Sequence, residues 1–345
     1  MPTSASTVAA KPRAFGRRLA IAASACLLLF LLCLFSLVVG ARPIAVSTVF
    51  DAVFAYDGRS VDHIAIRDYR LPRTLLGLFC GAAFGVSGAL IQAMTRNPLA
   101  DPGLLGVNAG AAFFVTIAAG VLGIQSVSAY LWFAFLGAIV VTVLVYALGS
   151  AGRAGATPIR LLLAGVAVSS VLGGIGSAIV LLNPVGFDSL RVWSIGALAG
   201  RDMTVVSTVT PFIVIGLAIA ALISPALNAI ALGDDNARAL GTHMVRTRVL
   251  AAVAVTLLAG GGTAAVGPIG FIGLMTPHVV RWLFGPDQRL IVGGTMIFAP
   301  ILLLAADILG RLVLQPGELE AGIVTAFLGA PILILLVRRK KVSGL

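Results

Sequence analysis

The run TLLGLFCGAAFGVSGALIQAMT, residues 74–95, carries no charge over its whole length and is interrupted by glycine at 77, 81, 85 and 88. Wound as a helix, about 20 such residues cross roughly 30 Å of hydrocarbon with every backbone polar group bonded internally. Nine further apolar stretches surround it, at 19–41, 104–122, 129–149, 161–182, 205–223, 248–267, 269–284, 291–312 and 322–337. Hydrophobic residues make up 59% of the chain and charged residues 11%. A water-soluble protein of that composition has too little polar surface to cover itself. The sequence therefore predicts an all-α, polytopic membrane protein of about ten transmembrane helices. Its 345 residues would suffice for two soluble domains, but no connector is much longer than the one between 41 and 74. One transmembrane domain, 19–337, is expected between an N-terminal tail, 1–18, and a C-terminal tail, 338–345. The eighth stretch is the shortest and holds Pro277, so a kink or a partly re-entrant segment is expected there.

Charge orients the chain. An even number of spans puts both termini on one side. With the termini inside, sixteen Lys and Arg fall in inner segments and eight in outer ones. Basic residues collect in cytoplasmic loops, so both tails are expected in the cytoplasm. The same rule explains the net charge of +11 without invoking nucleic acid. The first apolar run, Leu19 to Gly40, follows Lys11, Arg13, Arg17 and Arg18. It is too long for a signal peptide and lacks a cleavage site, so it is expected to stay as the first span. Cys26, Cys33 and Cys80 lie in or beside spans without metal-type spacing and imply no disulfide framework. Gly81, Gly85 and Gly88 share nearly one helical face, as do Gly106 and Gly110. Small residues of that kind let membrane helices approach closely.

Three polar segments are more elaborate than connectors need to be. The first is Arg96-Asn97-Pro98-Leu99-Ala100-Asp101-Pro102-Gly103-Leu104-Leu105-Gly106, on the inner side. Its prolines and glycine fix a rigid turn. Asn97 suits a bond to local backbone, and Asp101 suits a helix cap with Pro102 in the first position. It reads either as a well-made turn or as a constriction at the inner mouth of a pathway. The second, Asn228 to Arg248, reads as two short helices broken at Gly241, with Asp234 and Asp235 at a helix N-terminus. A helical platform there suits a soluble partner, touched through Asp234, Asp235, Ala237, Arg238 and Gly241. The third is Arg70-Leu71-Pro72-Arg73 at the outer face, with Arg311 a natural companion. These arginines either snorkel to headgroups or offer a cationic contact to an acidic partner. Asp307, one turn before Arg311, is placed to pair with it instead.

Enzymatic constellations are missing from the sequence. No GxxxxGK[ST] loop occurs, so the chain cannot hydrolyse ATP for itself. His63, His243 and His278 are scattered, with no HExxH, paired carboxylates or nucleophile–base spacing, and His278 suits a helix-end polar contact better than a ligand role. An ion-coupled secondary transporter, the reading from a different class, usually holds acids or histidines at the midplane. Here Asp307 is the one candidate.

Together these residues resemble the permease subunits of binding-protein-dependent ABC importers for ferric siderophores, haem and cobalamin. The resemblance runs from about residue 15 to 340. It rests on Arg70–Arg73, Gly88-Ala89-Leu90-Ile91-Gln92, Arg96–Gly106 with Asn108 and Gly110, Arg160–Gly165, Ala231-Leu232-Gly233, Gly267–Leu274, Pro277-His278, Ala306-Asp307, Glu318-Leu319 and Gly322–Thr325, in that order. It implies a permease of ten helices in the bacterial cytoplasmic membrane, paired with a second permease (another copy or a paralogue) and two ATP-binding subunits. ATP and Mg would be used by those subunits, with no cofactor on this chain. It further implies that Arg70, Arg73 and Arg311 meet acidic residues of an extracytoplasmic substrate-binding protein. The segment 228–248 would couple to the ATPase. Asn97, Pro98 and Leu99 would form one part of a cytoplasmic gate, and Thr157, Pro158, Ile159 and Arg160 another. Pro158 and Ile159 depart from the small hydroxyl residues some relatives have. The variant of the 95–101 run favours ferric siderophore over haem, and haem over cobalamin.

Overall fold

The structure is a computed structural model that describes residues 12–40, 42–124, 127–151, 158–183, 191, 193–314 and 317–338. The expected tails, 1–18 and 338–345, lie largely outside them, as does Thr157. The described residues are helical and contain no strand. In chain order the helices are α1 (Pro12–Val38), α2 (Val46–Phe54), α3 (Val61–Thr95), α4 (Val107–Gly120), α5 (Val127–Ser150), α6 (Pro158–Leu182), α7 (Met203–Ala231), α8 (Asp234–Ala239), α9 (Met244–Val266), α10 (Ile272–Phe284), α11 (Gln288–Val313) and α12 (Ala321–Arg338). Each of the ten apolar stretches forms a helix. Among the described residues seven helices are long and apolar enough to cross a membrane; α4, with 14 residues, α10, with 13, and the apolar part of α12, Ala321–Ile334, are shorter.

Helix α3 is the axis of the bundle, packed against α7, α9, α10 and α11. Its glycines are what allow this. A Cβ on Gly81 would come within 2.6 Å of the Pro300 Cα, and one on Gly85 would overlap the Ala299 side chain. One on Gly88 would overlap the Gly273 carbonyl. Gly81 and Gly85 thus face α11, and Gly88 faces α10. Gly110 meets the Gly137 backbone in the same manner, closing α4 onto α5. Where lipid is as apolar as leucine, such backbone approach is the packing force.

The break near the eighth stretch lies upstream of Pro277. Helix α9 ends at Val266, Gly267 takes φ +78°, and the chain turns through Phe271 at φ +68° before α10 begins. Irregular backbone at membrane depth survives only where protein satisfies it. Here the Val266 carbonyl accepts from Ala197 N–H (2.8 Å), and the Gly196 carbonyl accepts from Gly322 N–H (2.9 Å). Helix α10 continues through Pro277 because its missing donor is replaced. Pro277 leaves the Gly273 carbonyl without its helical partner, and the buried Gln92 amide of α3 donates to it at 3.1 Å. Gly88 and Gln92 therefore serve one joint, the first by yielding space and the second by supplying a proton.

Candidate functional site at the two ends of the helix bundle

At the C-terminal end of α3, Arg96 adopts a left-handed conformation (φ 50°) that ends the helix. Non-glycine residues hold that conformation at a cost, so side-chain anchors are expected. Arg96 has two: its Nε–H donates to the Ile230 carbonyl at 2.9 Å, and its Nη2 pairs with Asp234 at the start of α8. Asp234 also pairs with Arg248 of α9 at 2.9 Å. Burial by itself would raise the Asp234 pKa, but the two guanidiniums outweigh it and hold the carboxyl below its ordinary value. The turn that follows is built from within. The Asn97 carboxamide oxygen accepts from Leu99 N–H (3.0 Å), and Asp101 caps the 3₁₀ turn Pro102–Leu105 by accepting from Gly103 N–H (2.8 Å). Burial raises the Asp101 pKa, opposed by that N–H. From α10, His278 donates through Nε2 to the Pro98 carbonyl (2.9 Å), since a carbonyl can only accept. Its Nδ1 is thereby the acceptor facing Arg281 at 3.4 Å. His278 makes a polar contact to the turn, and no metal-holding group of three His, Cys, Asp or Glu occurs among the described residues.

The described part of the segment expected to form the second part of a gate, 158–160, lies beside the 97–105 turn. A cavity of about 140 Å³ is lined by Asn97, Ala100, Ile91, Thr95 and Leu105 on one side and by Ile159, Leu161 and Leu162 of α6 on the other. Pro158 opens α6. Ile159 and Arg160 are exposed, and Arg160 donates to the Ala151 carbonyl at 3.4 Å.

The segment 228–248 forms α8, a left-handed Gly241 at φ +76° and the start of α9. Gly241 N–H bonds to the Arg238 carbonyl and Thr242 N–H to the Ala237 carbonyl, the double closure of a Schellman cap. Asp235 and Arg238 pair with each other at 3.0 Å on the exposed side. Ala237 is the correction here: it is fully buried against the helix bundle, so it packs inward and offers no surface to a partner. The exposed apolar side chains of this platform are Leu232, Leu240 and Val245. Sequence reading passed over them because leucine and valine in so apolar a chain carry no signal of their own.

At the opposite end of the bundle, expected to be the outer one, the three arginines share one cleft of about 440 Å³, together with Arg42, Asp62, Tyr69 and Glu318. Arg70 donates to the Leu37 and Val38 carbonyls at the end of α1 (2.8 and 2.6 Å). Arg73 forks onto Asp307 (2.8 Å) and reaches Glu318 (2.7 Å). Arg311 pairs with Asp307 and donates to the Ser36 and Val39 carbonyls at 2.8 and 2.9 Å. Side-chain exposure falls to 11% for Arg73, 2% for Arg311 and 1% for Asp307. Arg311 is therefore a buried tie between α1 and α11 rather than a free cation. Glu320 and Arg201 extend the cluster; burial raises the Glu320 pKa even with Arg73 and Arg201 nearby. Glu318 and Glu320 escaped the sequence reading as charge partners because they are about 245 residues from Arg73.

A bundle of apolar helices sewn through glycine faces, with charged clusters at both mouths, is the build of a multi-pass transport permease. The chain belongs to the FecCD transport family, whose model matches residues 27–339. It is 48% identical to the ferric enterobactin transport system permease protein of Escherichia coli, over 92% of this chain and 95% of that protein. It is 41% identical to the Fe(3+)-citrate import system permease protein of Bacillus subtilis, over 88% of this chain and 90% of that one. A solved inward-facing structure of a metal-chelate type ABC transporter superposes with a TM-score of 0.81 at 27% identity, covering 92% of this chain and 98% of the other. The chain is thus a membrane subunit of an ABC importer, a transport protein rather than an enzyme, which works with a permease partner and an ATPase.

Proposed function

We propose that this chain is the membrane-spanning subunit of an ATP-driven, binding-protein-dependent importer of a ferric siderophore, set in the bacterial cytoplasmic (inner) membrane with both termini in the cytoplasm. Residues 19–337 act as one domain, with 228–248 as its coupling segment. Two ATP-binding subunits, which use ATP and Mg, seat on Asp235, Arg238, Leu240 and Val245. The substrate-binding protein docks over the outer cleft, where Arg70 and Arg73 supply positive charge and Arg311 holds the walls. A second permease, another copy or a paralogue, faces α6. That helix is largely uncovered in the single chain, and Gly173 and Gly174 have no neighbour against them. The names of the relatives support an iron chelate as cargo.

The observation that carries this reading is Asp234, shared between Arg96 and Arg248. It ties the platform for a soluble partner to the gate turn through one carboxylate. An ion-coupled carrier needs no such tie, and the one intramembrane acid the sequence offered it, Asp307, lies at one end of the bundle engaged by two arginines. The test is Asp234→Asn in the complete complex reconstituted with its binding protein. ATP hydrolysis should persist while chelate uptake per ATP falls several-fold. Uptake per ATP equal to wild type would refute the tie. Loading the binding protein with ferric siderophore, haem or cobalamin tests the cargo, and haem or cobalamin transport would overturn the siderophore assignment.

A further inference from the structure

The connector between α1 and α3 holds a helix whose outer side none of the roles above explains. Helix α2 is nine residues long, and around its axis it divides into three sectors. Val49 and Ala52 are buried, packed with Leu37, Ile44 and Ile66 in a small core at the outer ends of α1 and α3. Next to them, over about 100° of the circumference at 3.6 residues per turn, come Val53, Val46, Phe50 and Phe54. All four are exposed, Phe54 to 82%. The last sector, Ser47 and Asp51, is polar and exposed. A soluble surface helix has two sectors, apolar inward and polar outward. The additional apolar sector, on which Phe50 and Phe54 stack at 6.5 Å, needs a second apolar environment.

We propose that α2 is an interfacial anchor that lies in the outer leaflet with Phe50 and Phe54 inserted beside the acyl chains. Depth argues for lipid as the occupant. The core under α2 includes Leu37, one residue before α1 ends, and the Ile44 N–H bonds to the Val38 carbonyl, so α2 sits at the level where two spans leave the membrane. The exposed apolar face of α1, through Leu27, Leu31 and Phe35, leads up to that same level. Flanking residues match a headgroup zone, where aromatic and basic side chains gather. Tyr56 and Tyr69 are exposed, and the Arg67 guanidinium lies 4.5 Å from the centre of the Tyr56 ring. An interfacial helix needs an apolar side toward the chains and a polar side toward water, which the Val46–Phe54 and Ser47–Asp51 sectors supply.

The experiment places a nitroxide on Phe54→Cys and, separately, on Asp51→Cys, in a chain carrying Cys26→Ser and Cys33→Ala. Cys80 is buried and stays. The labelled permease is reconstituted with its partners in phosphatidylethanolamine–phosphatidylglycerol vesicles. Relaxation by oxygen, which concentrates in lipid, is compared with relaxation by a water-soluble nickel chelate. Oxygen should dominate at 54 and nickel at 51, a reversal of sign in the depth parameter within one helical turn. Nickel dominance at both positions would overturn the anchor. So would protection of position 54 that appears only when the binding protein is added, because that face would then belong to docking.

Discussion

Asp307 is the carboxylate on which the outer mouth depends, and its removal gives the sharpest forecast. It is 1% exposed and holds Arg73 from α3 while pairing with Arg311 within α11. Asp307→Asn leaves two largely buried guanidiniums facing a neutral amide, with Glu318 on Arg73 and Glu320 close by as the remaining anions. Breaking a buried pair in this way typically costs about 3–5 kcal/mol, because the orphaned charge keeps its desolvation penalty. The α1 carbonyls of Ser36 and Val39 still accept from Arg311, which favours the lower half of that range. Replacing the pair together, as Asp307→Leu with Arg311→Met, removes both charges and fills similar volume. Such swaps are often neutral or stabilising, so the double variant should recover the part of the loss that belongs to Arg311, while Arg73 keeps only Glu318. The assay is unfolding of the purified permease in detergent, read as a double-mutant cycle with Asp307→Leu alone and Arg311→Met alone as the single-variant corners. A wild-type midpoint for Asp307→Asn would refute the buried-tie account of Arg311. Binding-protein affinity measured on the same folded variants then separates docking from folding. Arg73→Glu should weaken both, whereas the double variant should be more stable than Asp307→Leu alone.

Gly88→Ala should abolish assembly, because its methyl would overlap the Gly273 carbonyl where two backbones meet; folded yield by size-exclusion chromatography checks it. Gln92→Leu removes the donor that replaces the Pro277 N–H and should cost about 1–3 kcal/mol, the usual penalty for a buried unsatisfied carbonyl, read by thermal unfolding. Gly241→Val puts a β-branched residue at φ +76° and should distort the platform. The permease should fold, yet bind its ATPase weakly in co-purification. Glu320 has a folded pKa above its ordinary value, so its charge costs stability once pH exceeds that ordinary value. Glu320→Gln should therefore raise the unfolding temperature at neutral pH, and the gain should vanish below about pH 4, near the unperturbed carboxylate range. A gain that persists in acid would show that something other than the charge is responsible.

Local chemistry was legible in the sequence wherever the partner of a residue lies a few positions away. The Asn97 and Asp101 turns, the left-handed Gly241 and the glycine face of 81, 85 and 88 follow from backbone sterics and short-range hydrogen bonding. Distance along the chain hid the rest. Arg73 finds Asp307 from 234 residues away, and Arg96 finds Asp234 from 138. Neither pairing leaves a trace in periodicity or composition. Pro277 pointed to a break because a lone sequence shows the missing donor but not its replacement by Gln92. Ala237 was assigned outward because the helical pattern of α8 is only six residues long, too short to say which side faces the body.

The same contacts constrain how the two mouths are joined. Arg73 and Arg96 both belong to α3, near the two ends of the segment Leu71–Thr95, whose 25 residues span about 37 Å at roughly 1.5 Å each. Between them the helix has no slack. Gly81 and Gly85 are seated on the α11 backbone and side chains, Gly88 is seated on α10, and Gln92 bonds to α10. Sliding α3 past either neighbour by a fraction of a residue would drive Cα atoms into carbonyls, so its middle moves with α10 and α11 as one body. Irregular backbone lies at the ends instead. A π-helical turn, Ala65–Arg70, precedes the segment, and the left-handed Arg96 closes it. The outer turn carries Arg70, which is tied to α1, and the inner residue is tied to α8 through Asp234. Any relative movement between the arginine cleft and the 97–105 turn has to be taken up at these two joints. Substitutions at Arg96 should consequently disturb transport far more than equally exposed changes elsewhere on the inner face.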